Sequence, residues 1–108
     1  MISYHNIEVM WKILFTANAE KEIKSQFKKG LLTEDDREVI ATWIKQVKEF
    51  GPESLRDSNF WYDHALDGKW DGFRSSAFSF NGRIIYKIED KKITVKVIRV
   101  TSTHNYKI

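Results

Sequence analysis

Three histidines, His5, His64 and His104, are the scarce chemical resource of this 108-residue chain, which has no cysteine. Imidazole is the side chain whose ordinary pKa lets it take up and return a proton near neutral pH. His5 lies beside the amino end and reads as a surface residue. His64 and His104 sit beside strand ends, where side chains from several segments converge. Arg74, Arg83 and Arg99 fall in the same set of strand ends. A guanidinium can hold the nonbridging oxygens of a phosphodiester in two-point contact while an imidazole moves protons, so such a cluster suits phosphodiester chemistry.

Each of these residues also has a plainer reading. The segment Asp63-His64-Ala65-Leu66-Asp67-Gly68 can be a simple turn, with the imidazole packed on Trp61 or Trp70. Arg83 can be a solvated hairpin cation. Tyr106, two residues beyond His104, can be an apolar anchor that pins the tail to the sheet.

Other chemistries have nothing to stand on. Without cysteine there is no disulfide, no thiolate nucleophile and no cysteine-based zinc site, which fits a reducing compartment. No phosphate-cradling glycine loop, nucleophile elbow or HExxH is present, so nucleotide hydrolases, serine hydrolases and zinc proteases are set aside, and neither metal nor cofactor is expected. The longest apolar run is too short to cross a bilayer core of about 30 Å as a helix. Residues 1–16 lack the basic start and small-residue cleavage site of a signal peptide, so the expectation is a cytoplasmic protein with no membrane partner.

Charge is unevenly spread. Lysine and arginine number 18 against 15 acids, a net charge of +3. From Gly68 onward Lys69, Arg74, Arg83, Lys87, Lys91, Lys92, Lys96, Arg99 and Lys107 face only Asp71, Glu89 and Asp90. A basic carboxyl-terminal half points to an anionic partner, nucleic acid or an acidic protein segment.

The elements that must position these residues can be read in order over one domain, residues 1–108. Ile7, Val9, Trp11, Ile13 and Phe15 alternate with polar or larger outward residues and predict a first strand. Thr16 or Asn18 can cap a helix whose apolar stripe is Ala19, Ile23 and Phe27, ended at Gly30. Thr33 opens a second helix with Asp36 in a capping-box arrangement, and Gly51-Pro52 stops it. Its core face is Val39, Ile40, Trp43, Ile44 and Val47. Gly72 to Phe80 predicts a strand, Asn81-Gly82 a two-residue hairpin turn, Arg83 to Glu89 the returning strand, and Ile93 to Val100 the last. By the pleat, Arg83 and Lys87 share an exposed face, and Arg74 shares one with Ser76. The order β-α-α-β-β-β predicts an α+β fold, a helical hairpin packed on an antiparallel sheet.

That order, combined with "LDGKWDGFR", "GRIIYKIEDKKITVKVIRV" and a terminal "THNY", resembles the RelE/ParE superfamily of type II toxins. The motif match covers roughly residues 63–106, while the first half agrees in pattern. "DHALDGKWDGFR" is most similar to the YafQ branch, which carries Asp-His-x-Leu here and Thr-His near the carboxyl end.

The resemblance implies a toxin of a toxin–antitoxin system, an mRNA endonuclease acting in the ribosomal A site by attack of the messenger's 2′-hydroxyl on the adjacent phosphate. It implies proton-transfer roles for His64 and His104, phosphate stabilisation by Arg83 and substrate stacking by Tyr106. Arg74, Ser76, Lys87, Arg99 and Lys69 are the implied RNA contacts, and Lys24, Lys28 and Lys29 either touch ribosomal RNA or form a solvated helix face. The implied partners are a cognate antitoxin, the ribosome with its messenger and, for a toxin–antitoxin heterotetramer, operator DNA. Ser75 and Ala77 stand where the YafQ branch has an acid and a further histidine. The ParE branch, similar in fold, poisons DNA gyrase and lacks the histidine set. A gyrase inhibitor, or an inactive protein that binds antitoxin or RNA, is therefore the alternative.

Overall fold

Alternation decides the first element. The computed structural model describes residues 10–103, and within it β1 (Lys12–Phe15) turns Ile13 and Phe15 toward the core and Lys12 and Leu14 outward. Trp11 precedes the strand, its N–H donating to the Lys48 carbonyl at 3.1 Å. Ile7 and Val9, and also His5, His104 and Tyr106, lie outside the described residues.

Helix α1 (Ala17–Lys28) starts where the Thr16 hydroxyl accepts from the Ala19 N–H at 3.1 Å, satisfying one orphan donor of the first turn. Helix α2 (Glu34–Phe50) starts on the expected capping box. The Thr33 hydroxyl accepts from the Asp36 N–H at 3.2 Å, and the Asp36 carboxylate accepts from the Thr33 N–H at 2.9 Å. Gly51 ends α2 with φ of 83°, where a side chain would both be strained and press on the Trp11 indole, 3.0 Å from an added Cβ.

The remaining elements are a 3₁₀ turn (Pro52–Arg56), β2 (His64–Ala65), a 3₁₀ turn (Gly68–Trp70), β3 (Arg74–Ala77), β4 (Arg83–Glu89), a 3₁₀ turn (Asp90–Lys92) and β5 (Thr94–Thr101). The sheet runs β1-β5-β4-β3-β2 and is mixed, not the expected antiparallel sheet, because the first strand is placed beside the last, β1 parallel to β5, while every other pair is antiparallel. Both helices pack on the face bearing Ile84, Tyr86, Val95, Val97 and Val100, to which they contribute Ala19, Ile40, Trp43 and Val47.

Three further features differ from the expected order. The two-residue strand β2 is additional, too short to register as alternation. Asn81-Gly82 does not form a two-residue turn, because neither residue has the positive φ that a type I′ turn requires. Ala77 pairs with Arg83 across a five-residue loop, and Gly82 is needed instead for space, since an added Cβ would run into the Phe78 ring and the Ser79 hydroxyl. The third difference is a bulge in β5. Ile85 faces Arg99 while Tyr86 faces Val97, so Ile98 is the extra residue and Val97 and Val100 both reach the core.

Beyond Val97, β5 has no partner strand on its β1 side among the described residues. Side chains of α1 take that place. The Val100 N–H donates to Glu22 Oε1 at 2.9 Å, Gln26 Nε2 donates to the Val100 carbonyl at 2.7 Å, and the Ser102 N–H donates to Gln26 Oε1 at 2.7 Å. An otherwise open edge is thereby blunted with polar groups.

Candidate functional site

Residues opposite each other in a ladder share a face, so register alone sorts the candidates. His64, Ser75, Ile85 and Arg99 form one row across four strands, on the face away from the helices. Two residues along the strands, Ala77, Arg83 and Thr101 form the next row on that same face. Strand spacing and rise put the Cα atoms of His64 and Arg83 about 12 Å apart, a separation their side chains can span toward one phosphodiester. Thr101 stands opposite Arg83, and His104 follows it three residues later, outside the described residues.

Arg83 was expected on an exposed face with Lys87. It does share that face, but it is only 7% exposed, while Lys87 is in solvent with its ammonium 5.9 Å from the centre of the Phe73 ring. Arg83 Nη1 donates to the carbonyls of Ser79 (3.3 Å), Phe80 (3.2 Å) and Gly82 (2.9 Å). Its Nε is buried and has no hydrogen-bond partner, nor does any carboxylate among the described residues pair with it. A buried guanidinium without a counter-ion is costly unless an anion arrives.

The backbone preceding His64 is strained in a way that fixes the imidazole. Tyr62 has φ of 46°, a left-handed conformation costing an aromatic residue on the order of 1–2 kcal/mol. His64 Nδ1 lies 2.9 Å from the Tyr62 carbonyl, which can only accept, so Nδ1 is the donor and Nε2 is the ring nitrogen left to exchange a proton with a ligand. The ring rests against Tyr62, centroids 5.1 Å apart, and not on Trp61 or Trp70.

What holds that backbone is a residue the sequence reading passed over. The Asp63 side chain is fully buried on the helix face. Its Oδ1 accepts from Arg74 Nη2 at 2.7 Å and Nε at 2.9 Å, and its Oδ2 accepts from the Ser76 hydroxyl at 2.6 Å and the Tyr86 hydroxyl at 2.5 Å. Trp43 Nε1 donates to Ser76 Oγ at 3.0 Å, tying the node to α2. The signal was available: Asp63 precedes His64, so a strand there must send the two side chains to opposite faces.

The expected grouping of Arg74 with Arg83 and Arg99 is therefore not what the structure shows, and His104, the fourth expected member, lies outside the described residues. Arg74 and Ser76 do share a face, but it is the helix face, where both are spent on Asp63. Burial is the largest single influence on Arg74 and opposes its charge, but the hydrogen bond and charge of Asp63, with a further contribution from Tyr86, together outweigh it and raise the guanidinium pKa. Burial, reinforced by the Asp63 carboxylate, pushes the Tyr86 phenol far above its ordinary value. Arg99 stays on the helix-free face but is clasped by Glu22, Nε at 2.9 Å and Nη2 at 2.6 Å from Oε2, and that hydrogen bond raises its pKa. Lys69, Trp70, Phe73, Ile98 and Arg99 border a cavity of about 460 Å³ beside Asn18 and Glu22 of α1. Among the expected RNA contacts, Lys69, Lys87 and Arg99 thus remain on or beside the helix-free side.

No family model and no curated protein matches the chain. Solved structures do. The E. coli DinJ-YafQ toxin-antitoxin complex is similar with a TM-score of 0.67 at 22% identity, over 89% of this chain and 94% of that one. A metal-bound toxin from Helicobacter pylori gives 0.67 at 18%, over 88% and 96%. The YoeB-YefM complex from Staphylococcus aureus gives 0.64 at 15%, over 91% and 100%. At these identities the likeness establishes a fold, two helices on a five-stranded mixed sheet, shared with these toxin structures.

Proposed function

From a chain with the RelE-like toxin fold, we propose a toxin of a type II toxin–antitoxin system that cleaves messenger RNA on the ribosome. The observation that carries this is Arg83, nearly buried on the helix-free face with Nε unpartnered and no carboxylate among the described residues to neutralise it. An unneutralised guanidinium favours an anionic ligand, and a phosphodiester is the anion that His64 on the same face can act upon.

The reaction needs no group from outside the protein and the messenger. The 2′-hydroxyl loses its proton to one histidine and attacks phosphorus, and the bond to the 5′-oxygen breaks as the other histidine protonates it. Products are a cyclic 2′,3′-phosphate and a 5′-hydroxyl. His64 and His104 share the proton transfers, Arg83 stabilises the charge gathering on the phosphorane oxygens, and Tyr106 stacks on a base or orients the sugar. Lys69, Lys87 and Arg99 contribute phosphate contacts. The proposed setting is the cytoplasm, with a cognate antitoxin as the restraining partner and operator DNA as the ligand of the toxin–antitoxin heterotetramer.

The departures at Ser75 and Ala77 favour one second reading, an inactive relative that still binds antitoxin. Ser75 is fully buried with its hydroxyl unpartnered, so it supplies no charge where the YafQ branch has an acid. Mapping messenger 5′ ends after brief induction tests both. Breaks in phase with codons, lost in Arg83→Ala, are expected. Intact messengers with unchanged translation would overturn the nuclease, and double-strand breaks in DNA would point to gyrase.

A further inference from the structure

The loop joining β3 to β4 is built around a cation and displays an aromatic ring. Arg83 Nη1 gathers the carbonyls of Ser79, Phe80 and Gly82 from below. Within the loop the Gly82 N–H donates to Ser79 Oγ at 2.8 Å, and the Phe78 N–H donates to the Gly82 carbonyl at 3.1 Å. Phe78 is buried against Gly82, which has no room for a side chain. From this fixed frame Phe80 projects 92% exposed.

A rigid loop that leaves a phenyl ring in water forgoes burial that a polar residue would not need. Two other exposed rings stand at the same end of the sheet. The Ala77 N–H donates to the Trp61 carbonyl at 2.7 Å, so the segment carrying Phe60 (69% exposed) and Tyr62 (66% exposed) runs beside the strand that enters the loop. Tyr62 in turn stacks obliquely on His64. The unpartnered Arg83 nitrogen favours an anion, and the exposed rings at this end of the sheet favour flat apolar faces. A polymer that repeats an anion and a flat ring is single-stranded nucleic acid.

We propose that Phe80, with Tyr62 across the sheet end, is a stacking surface for the bases of single-stranded RNA on either side of the phosphate held at Arg83. This rests on the ribonuclease reading and adds to it a binding residue outside the histidine–arginine set. Because Phe80 touches so little of the protein, its replacement leaves the fold intact, and thermal unfolding of the variants checks that.

The test is binding of an RNA oligomer carrying a 2′-deoxy sugar at the scissile position to the purified full chain. Phe80→Ala and Phe80→Leu are expected to weaken binding about 5- to 150-fold, and Phe80→Trp to retain it. Emission of the added indole should be quenched by the oligomer and not by inorganic phosphate. Wild-type affinity in Phe80→Leu, or indole emission indifferent to RNA, would overturn the stacking surface; so would loss of antitoxin affinity with RNA affinity unchanged. The two proposals fail separately. A wild type that binds RNA through Phe80 yet cuts no messenger removes the nuclease and keeps the stacking surface, whereas in-phase cutting by Phe80→Leu at unchanged affinity does the reverse.

Discussion

Arg74 and Arg83 stand on neighbouring strands, both largely withdrawn from solvent, and among the described residues only Arg74 of the two meets a carboxylate. Arg74 is half of a closed account of charge and hydrogen bonds: Asp63 accepts from Arg74, Ser76 and Tyr86, and Ser76 accepts from Trp43. Arg83 has three carbonyls on one nitrogen and nothing on Nε. A buried cation complete within the protein is architecture, whereas one left incomplete is held for something that arrives later. The contrast also orders the consequences of mutation.

The largest effect is expected at the closed node. Asp63→Ala strips Arg74 of its counter-ion and leaves the hydroxyls of Ser76 and Tyr86 without their acceptor. Breaking a buried pair from one side costs about 3–5 kcal/mol, and the slight exposure of Arg74 places this case near 3. Denaturant unfolding measures it. Replacing both partners, Asp63→Leu with Arg74→Leu, should recover part of the loss, because no buried charge is then left alone. Equal loss in the single and double variants would show that the node is packing and not charge.

At the open site the effect should fall on chemistry more than on stability. Removing a donor aimed at developing transition-state charge lowers the rate about 10²- to 10³-fold, and Arg83→Ala should lose at least that in messenger cleavage. Arg83→Lys keeps the charge but cannot reproduce the fork that spans the loop carbonyls and an anion together, so it should recover little. Unfolding of Arg83→Ala should shift by about 1–2 kcal/mol, the worth of the loop hydrogen bonds. A stability loss as large as that of Asp63→Ala, with cleavage retained, would erase the distinction between the two arginines.

The two arginines also show how far the sequence carries. Helix ends were legible at Thr33, Asp36 and Gly51-Pro52, because capping chemistry is local and each signal acts within four residues. The pleat correctly put Arg74 with Ser76 and Arg83 with Lys87. What could not be read was which face of β3 looks inward. Arg74-Ser75-Ser76-Ala77 offers no apolar alternation, so burial had nothing to decide register, and the face follows from Asp63 and Trp43, remote in sequence. The bulge at Ile98 and the loop after Ala77 were hidden for a related reason: each depends on packing between strands rather than on the residues that form it. Of the proposed catalytic set, His64 and Arg83 fall on one face, while His104 and Tyr106 lie outside the described residues.

Tyr86 gives a smaller effect with a definite pH signature. Burial and the Asp63 carboxylate hold the phenol protonated in the folded chain, while the unfolded chain ionises near its ordinary value of about 10. A raised folded pKa contributes stability that is complete below the unfolded value and is lost as pH climbs past it toward the folded one. Wild-type stability should therefore begin to fall above about pH 10. Tyr86→Phe, less stable at neutral pH by about 1 kcal/mol for the lost hydrogen bond, should fall less steeply over the same range. Parallel profiles for the two proteins would mean that the phenol ionises in the folded state as readily as in water.

The smallest effect is expected where ions pair in open solvent. Glu89 meets Lys96 at 3.3 Å and Lys92 at 3.4 Å, and the Lys96 hydrogen bond, followed by that of Lys92, lowers its carboxyl below the ordinary range. A depressed folded pKa contributes stability present above the unfolded value, about 4.5 here, and lost as pH falls through the folded one. Both lysines are free to rotate into water, and mobile salt screens such a pair, whereas Asp63 is beyond its reach. Glu89→Gln should thus change the melting temperature slightly at low salt and not at all near 1 M, while the deficit of Asp63→Ala should persist at both. A salt-insensitive Glu89→Gln would mean that the Glu89 cluster belongs with the closed node, and that exposure alone does not divide architectural charges from available ones in this sheet.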